Sequence, residues 1–298
     1  MSIKNRLSPN ARIKADRRAN YMYRHSHDKI DTNLLILFHG AGDSHLPFHT
    51  FAKKMNLPQT ATLSIHANAM SDDERQGGGF VKLPFDLGYT WFEEMDYQNT
   101  GDTLELDSDR RVSSLKRAYD KLDQFIIDGL ICQEDKDGDD GNQNRGRQNP
   151  LWLPERIFLL GFSAGASLVM NICYNRAQQD KRPLGGAICI AGGGLKGGIK
   201  DPKAHNNEVK KKKEVTPILL IGGEKDETYS VDTLQEDANL YNVNNEPNLV
   251  KTFVQQGKKH GMIHQKEETK FMMEFFADKL VRRMIAMEGF TEVSSFAD

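Results

Sequence analysis

Short apolar segments alternate with longer amphipathic segments along most of the chain. The apolar, β-branched segments predict strands near 34–38, 61–65, 156–161, 185–191, 215–222 and 249–255. The segments whose apolar residues recur every three or four positions predict helices at 45–56, 109–130, 164–178, 231–241 and 263–286. This alternation is typical of an α/β protein in which helices cover both faces of a mostly parallel sheet.

The distribution of polar residues predicts one domain over residues 1–298 with three solvated segments. Residues 1–20 are rich in Arg, Lys and Asn and predict a flexible arm. Residues 133–150 contain no large apolar side chain, and residues 201–214 carry four consecutive lysines, Lys210 to Lys213. Such segments are typical of surface inserts. The lysine run also allows a peripheral contact with an anionic lipid or an acidic partner.

Composition and charge exclude several functional classes. The chain has 298 residues and a formal net charge of -2, so no basic field predicts a nucleic-acid partner. No apolar run is long enough to span a membrane, and no signal-peptide pattern opens the sequence. The cysteines Cys132, Cys173 and Cys189 lack metal-ligand spacing and indicate reduced thiols. We therefore expect a cytoplasmic protein, with a mitochondrial location through the basic N-terminus as the alternative.

One serine lies at the junction of a predicted strand and a predicted helix. In the motif "GFSAG", Ser163 stands between Gly161 and Gly165, after "RIFLL" and before "ASLVMNICYNRA". A strained strand-to-helix turn of this kind presents a nucleophilic serine in many hydrolases. The motif alone also arises by chance, and a serine hydroxyl is a poor nucleophile at neutral pH. It needs a base, a group that orients the base, and donors for the oxyanion.

Later segments supply candidates for the acid and the base. Asp226 follows the predicted strand in "TPILLIGGEKDET", where Glu224 is a competing candidate. His260 follows the last predicted strand in a loop flanked by glycine, and His264 is the weaker candidate because it would lie on the terminal helix. The order Ser163, Asp226, His260 is that of the hydrolases that use the serine turn described above.

The donors for the oxyanion are expected from two backbone N–H groups. The first is that of Ala164, at the start of the helix that follows the serine. The second is that of Ala41 in "LLILFHGAGD", a turn after an early strand whose shape His39 and Gly40 would set. Losing one such donor commonly costs about 3 kcal/mol of transition-state stabilisation.

Several motifs together resemble those of the phospholipase/carboxylesterase family of α/β-hydrolases, which includes the acyl-protein thioesterases. They are "HGAGDS", "LGYTWFEEMD", "RIFLLGFSAGASL", "TPILLIGGEKDE" and "GKKH", and the resemblance spans about residues 32 to 284. It implies an α/β-hydrolase fold that cleaves carboxylic esters or thioesters through an acyl-enzyme, on small molecules or acylated proteins, without a metal or cofactor. It implies a catalytic triad of Ser163, Asp226 and His260, oxyanion donors at Ala41 and Ala164, and a substrate pocket that includes Gly40, Trp91 and Phe92.

The chain departs from the family pattern at three places near the predicted site. Ala164 to Ala166 replace a Gln-Gly-Gly sequence after the serine, "ETYS" follows the acid where apolar residues and a proline are usual, and "GGGLKGG" follows the strand at 185–191. These departures bear on which acyl groups the protein prefers more than on the reaction that it catalyses. The alternative function is that of a non-catalytic member that binds an acyl ligand or a protein partner in the same pocket.

Overall fold

The computed structural model describes residues 21–68, 80–97, 99–124, 130, 152–195, 213–242 and 245–282. Within these residues the strands are β1 (Tyr21–Arg24), β2 (Asn33–Phe38), β3 (Thr60–Ile65), β4 (Val81–Lys82), β5 (Tyr89–Thr90), β6 (Ile157–Phe162), β7 (Gly186–Ile190), β8 (Ile218–Gly223) and β9 (Val250–Gln255). The helices are α1 (His45–Met55), α2 (Asp109–Gln124), α3 (Ala164–Gln178), α4 (Val231–Tyr241) and α5 (Lys266–Lys279).

The main sheet has the strand order β1-β3-β2-β6-β7-β8-β9. All neighbouring strands are parallel except β1, which pairs with β3 in the antiparallel direction. Every residue of β2, β3, β7 and β8 is buried, as expected for parallel strands with both faces covered. The mostly parallel α/β fold predicted from the hydrophobic pattern is therefore confirmed.

The two faces of the sheet form two separate hydrophobic clusters. Alternate residues of β2 show the division, because Leu34, Ile36 and Phe38 join one cluster while Leu35 and Leu37 join the other. The first cluster includes apolar residues of α2, α3 and α4, and the second includes those of α1 and α5. All parallel strands point their carboxyl ends to the same edge of the sheet, so the loops at that edge are held close together.

The boundaries of the last helix differ from those predicted. α5 begins at Lys266, because the Gln265 and Glu268 side chains form a capping box at its start. It ends at Lys279, well short of residue 286, and Leu280 is extended. The Asn33 side chain forms hydrogen bonds with both backbone groups of Val281, at 2.8 and 3.3 Å, so a tertiary contact replaces the helical hydrogen bonds.

The sequence pattern did not predict three short strands. The four-residue edge strand β1 was not predicted, because three of its residues are half-buried and give no alternation of polar and apolar positions. The two-residue strands β4 and β5 were also missed.

The predicted arm at 1–20, the insert at 133–150 and most of that at 201–214 lie outside the described residues. Of the lysine run only Lys213 is described, and its Nζ donates to Oε1 of Gln178 at 2.7 Å.

We expect Gly165→Ala to destabilise the fold, because α3 begins against the end of β2. A Cβ atom on Gly165 would lie 2.5 Å from the Phe38 carbonyl oxygen and 2.6 Å from that of His39, and these backbone atoms have little freedom to move. Overpacking of this kind costs about 1–3 kcal/mol. The control is Gly261→Ala, since a Cβ there meets no atom within 4 Å. Urea unfolding of both variants checks the prediction, and equal midpoints would contradict it.

Candidate active site

Ser163 occupies a strained turn between β6 and α3. Its backbone has φ 52° and ψ −120°, a conformation that costs a residue with a side chain about 1–3 kcal/mol. Its N–H donates to the carbonyl oxygen of Ile190 at 2.9 Å, and its own carbonyl accepts the N–H of Ser167 at 3.0 Å. A Cβ atom on Gly161 would collide with the backbone of Gly165, so the sharp turn requires glycine at that position.

His260 lies in the loop between β9 and α5 and reaches the serine. Its Nε2 atom is 3.1 Å from Ser163 Oγ, which is within hydrogen-bonding distance. The imidazole lies against the Phe162 ring, with the ring centroids 5.4 Å apart, and its side chain is 29% exposed. The ring is therefore partly packed and partly exposed to solvent.

Asp226 completes the arrangement from the turn after β8. Its Oδ2 and Oδ1 atoms are 2.9 and 3.1 Å from His260 Nδ1. The carboxylate is buried, and its Oδ1 atom also accepts the N–H groups of Thr228 and Tyr229, each at 2.9 Å. These hydrogen bonds offset the cost of burying the charge and hold the carboxylate in one orientation.

The competing residues lie elsewhere. The Glu224 carboxylate accepts the N–H of Gly257 at 2.8 Å, so it ties the turn after β8 to the loop that carries His260. The His264 side chain is 63% exposed and lies 3.9 Å from Glu268. The structure thus brings Ser163, His260 and Asp226 together and places Glu224 and His264 outside this chain of hydrogen bonds.

The turn after β2 lies directly beside the serine. A Cβ atom on Gly40 would be 3.5 Å from Ser163 Cβ and 3.0 Å from the Phe162 ring, so Gly40 backbone approaches both residues closely. Within the described part of the chain, the N–H of Ala41 has no hydrogen-bond acceptor. Ala164 is the first residue of α3, where N–H groups have no partner within the helix. Both predicted oxyanion donors therefore belong to backbone at the serine turn or next to it.

The buried His39 side chain fixes the orientation of the Gly40–Ala41 peptide. Its Nε2 atom accepts the N–H of Ala67 at 3.0 Å, so the proton is on Nδ1, which donates to the Gly40 carbonyl at 2.6 Å. Burial lowers the pKa of His39 to about 3, so the ring is neutral at physiological pH. Because C=O and N–H of one planar peptide point in opposite directions, anchoring the Gly40 carbonyl on His39 turns the Ala41 N–H away from that ring.

Trp91 and Phe92 do not line an open pocket, contrary to the prediction. Both side chains are 0% exposed and belong to the hydrophobic core. Trp91 packs against the Phe38 and His39 rings, and its Nε1 atom donates to the His39 carbonyl at 2.7 Å. Trp91 therefore supports the end of β2 and the turn that follows it. An apolar motif in the sequence cannot distinguish this position from a pocket wall.

The exposed apolar residues of this region belong to the segment between β4 and β5. The Phe85 side chain is 93% exposed and that of Leu87 is 61% exposed. The segment contacts the turn after β2, because the Gly42 N–H donates to the Tyr89 carbonyl at 3.1 Å and Gly88 packs against Gly42. An apolar surface therefore lies beside the candidate site.

Asp237 on α4 is a buried residue that sequence reasoning missed. Its carboxylate accepts the N–H groups of Gly194 and Leu195 at 2.6 and 2.8 Å and the hydroxyl of Tyr229 at 2.8 Å. Burial raises the pKa of this carboxyl group. Two departures from the family pattern, "ETYS" and "GGGLKGG", therefore contact one carboxylate, and Tyr229 joins it to Asp226. In the sequence, these two departures from the family pattern were the signal that could have pointed to the cluster around Asp237.

A group of neutral histidines surrounds the turn after β2. The His66 ring centroid is 5.1 Å from that of His39 and 5.4 Å from that of His45. Burial lowers the pKa of all three, to about 4 in the case of His45. Among the residues that the structure describes, no group of three or more His, Cys, Asp or Glu side chains could hold a metal ion, and no helix is long and apolar enough to cross a membrane.

The sheet order and the serine turn place the protein in the α/β-hydrolase class. The sequence profile of the family described as Phospholipase/Carboxylesterase matches residues 23–278, and the chain belongs to that family. An uncharacterized hydrolase of Schizosaccharomyces pombe is 26% identical over 168 residues, which are 55% of this chain and 54% of that protein. An uncharacterized hydrolase of Mycosarcoma maydis is 25% identical over 174 residues, or 58% and 53%. The chain thus matches about half the length of these curated relatives.

Solved structures share the fold at low sequence identity. The esterase PE8 superposes with a TM-score of 0.57 at 19% identity, over 87% of this chain and 98% of that chain. Acyl-protein thioesterase 2 of Zea mays superposes with a TM-score of 0.54 at 13% identity, over 86% and 99%. At such identities the likeness shows the α/β-hydrolase fold.

We expect His45→Leu to weaken the pH dependence of stability. Both His45 ring nitrogens are buried and have no hydrogen-bond partner among the described residues. Burial lowers the pKa from 6.5 to about 4, so the unfolded state binds the proton first and the free energy of unfolding falls as pH drops from 6.5 towards 4. Leucine does not titrate and removes this dependence. The difference in free energy of unfolding between the variant and the wild type should therefore be about 1–2 kcal/mol more favourable to the variant at pH 5 than at pH 7.

Urea unfolding at the two pH values measures this difference. The control is His27→Leu, which replaces an exposed histidine and reports the effect of the substitution itself. A His45→Leu variant whose stability relative to the wild type is the same at pH 5 and pH 7 would contradict the prediction.

Proposed function

We propose that the protein is a serine hydrolase that cleaves carboxylic esters or thioesters through a Ser163–His260–Asp226 triad. The observation that carries the proposal is the continuous series of hydrogen bonds from the buried Asp226 carboxylate through both His260 nitrogens to Ser163 Oγ. A buried acid, a base and a strained serine in this order serve one chemistry, acyl transfer to a serine. Membership of the phospholipase/carboxylesterase family supports the same reaction class.

The residues act in two half-reactions. His260 Nε2 takes the proton of Ser163 while Oγ attacks the substrate carbonyl carbon, and Asp226 stabilises the imidazolium that forms. The N–H groups of Ala41 and Ala164 stabilise the oxyanion of the tetrahedral intermediate. His260 then gives its proton to the leaving alcohol or thiol, which leaves an acyl group on Ser163. His260 then takes a proton from water while the water oxygen attacks the carbonyl carbon of the acyl-enzyme. The bond to Ser163 Oγ breaks, His260 returns the proton to Oγ, and the carboxylic acid is released.

The substrate class follows from the surroundings of the serine. The mechanism needs neither metal nor cofactor, because the triad supplies the nucleophile and the base and the peptide N–H groups stabilise the charge. The exposed side chains of Phe85 and Leu87 offer an apolar surface for an acyl chain. The names of the esterase PE8 and of the maize acyl-protein thioesterase support oxygen esters and thioesters equally. A cytoplasmic location remains a prediction from the sequence.

Replacing triad residues should abolish activity while the corresponding changes at the competing residues should not. We expect Ser163→Ala, Asp226→Asn and His260→Ala to lower kcat for p-nitrophenyl acetate by about 10⁴-fold or more. The matched controls are Glu224→Gln and His264→Ala, which convert a carboxylate to an amide and remove an imidazole on the same loops, and which should keep most of the activity. Fluorophosphonate labelling of the wild type but not of Ser163→Ala would support the assignment.

The outcomes separate the proposed enzyme from a binding protein of the same fold. A folded wild-type chain that neither hydrolyses the ester nor reacts with the probe would sink the proposal and favour the non-catalytic alternative. Undiminished labelling of Ser163→Ala would place the nucleophile elsewhere. Circular dichroism spectra establish that each variant is folded.

We expect Phe85→Ala with Leu87→Ala to impair the turnover of long acyl chains selectively. Losing part of an apolar contact costs about 1.4 kcal/mol, so kcat/KM for p-nitrophenyl octanoate should fall about tenfold. Turnover of the acetate ester should change by less than about twofold, since an acetyl group is too short to gain from such a surface. Leu240→Ala, which truncates an exposed leucine on α4, is the control. Equal losses for both esters would count against an acyl-binding surface here.

A further inference from the structure

The loop that carries His260 also contains a buried ion pair. The Nζ atom of Lys258 contacts Oε1 of Glu268, and the two side chains are only 2% and 0% exposed. Burying both charges costs free energy that their attraction often does not recover, so apolar replacements of such pairs are frequently as stable as the original. Stability alone therefore does not explain this pair. Its role is better explained by the groups that it holds together.

On one side, the pair is attached to the start of α5. Glu268 is the third residue of the helix, and its Oε2 atom accepts the N–H groups of His264 and Gln265 at 3.2 and 3.1 Å. Its carboxylate thus satisfies free donors at the helix N-terminus, where negative charge is favoured. The other oxygen, Oε1, remains for Lys258, so the ammonium group is bound to a rigid element.

On the other side, the backbone of Lys258 is attached to the turn that carries the acid. Its carbonyl oxygen accepts the N–H of Lys225 at 2.8 Å, and Lys225 directly precedes Asp226. The same carbonyl packs so closely on Gly223 that a Cβ atom there would collide with it. Lys258 therefore connects the end of β8, the acid turn and α5.

The loop around Lys258 is also held at Gly257, whose N–H donates to the Glu224 carboxylate at 2.8 Å, three residues before His260. Gly257 and Gly261 flank the segment, and a Cβ atom on either would meet nothing within 4 Å. His260 lies between Lys258 and Gly261 and must keep hydrogen-bonding distances of 2.9 and 3.1 Å at its two ring nitrogens. A displacement of about 1 Å in such an arrangement can cost about 10²-fold in rate.

We propose that Lys258, through its ion pair with Glu268, is a positioning residue that sets the distance of His260 from Ser163 and Asp226. This role rests on the proposed hydrolase function. Lys258 has no contact with the reacting atoms, and it acts by fixing the backbone two residues before the base. A segment with glycine on both sides requires an anchor close to the base, because a loop held at Gly257 but not at Lys258 samples positions in which Nε2 no longer reaches the serine.

The test removes both charges and compares catalysis with stability. In the double variant Lys258→Met with Glu268→Gln, glutamine keeps an acceptor for the N–H groups of His264 and Gln265. We expect kcat for p-nitrophenyl acetate to fall between about 10- and 100-fold, with KM within about twofold. We expect the melting temperature to fall by no more than a few degrees, since removing both charges also removes their desolvation cost. The rate of fluorophosphonate labelling should fall with kcat.

The matched controls are Lys259→Met and Glu267→Gln, which remove the same charges at the adjacent, exposed positions. Both should behave like the wild type in kcat, KM and melting temperature. Lys258→Arg, which keeps the positive charge, should retain more of kcat than Lys258→Gln. If the double variant does not fold, the comparison of these two single variants decides the question.

Each outcome has a defined meaning. An active wild type together with an unchanged kcat in the folded double variant, or equal kcat in Lys258→Arg and Lys258→Gln, would overturn the positioning role alone. A fall in kcat that matches the loss of folded protein, with no change per folded molecule, would also overturn it. A folded wild type that neither turns over ester nor labels would overturn the proposed function, and the positioning role with it.

Discussion

The contact between Gly165 and the carbonyl groups of Phe38 and His39 fixes the two halves of the site relative to each other. It presses the first turn of α3 against the end of β2, so the strained Ser163 turn and the Gly40–Ala41 peptide become neighbours. No side chain fits between them, which is why glycine is required there. The positions of the nucleophile and of the proposed oxyanion donors thus follow from a single backbone contact.

Buried polar groups then hold the loops at the sheet edge in place. Neutral His39 anchors the Gly40 carbonyl, Asp226 accepts two backbone N–H groups of its own turn, and Asp237 accepts two from the glycine loop after β7. Lys258 joins the acid turn to α5. His39, Asp226 and Asp237 bind backbone groups directly, and Glu268, the partner of Lys258, accepts the N–H groups of His264 and Gln265. A loop without regular secondary structure must satisfy its N–H and C=O groups in some way other than a helix or a sheet.

The pattern of departures from the family has a structural explanation. Tyr229 lies in the "ETYS" segment after the acid, and its hydroxyl reaches Asp237, which in turn binds the loop containing "GGGLKGG". A side chain on Gly193 would collide with Asp237 and Tyr229. The tyrosine, the aspartate and the glycine therefore depend on one another, and together they form the wall between the acid and the glycine loop.

The sequence by itself determined the fold class, the positions along the chain of the six main-sheet strands that follow β1, and the choice of Ser163, Asp226 and His260 as the candidate triad. Hydrophobic periodicity and the position of each polar residue just after a strand are local properties, so they are readable without coordinates. Only the tertiary structure decided which apolar residues face the core, as for Trp91 and Phe92, and where α5 ends against Asn33. It alone revealed that Lys258 and Glu268 form an ion pair. All of these features depend on contacts between segments that packing brings together, and such contacts leave no local pattern in the sequence.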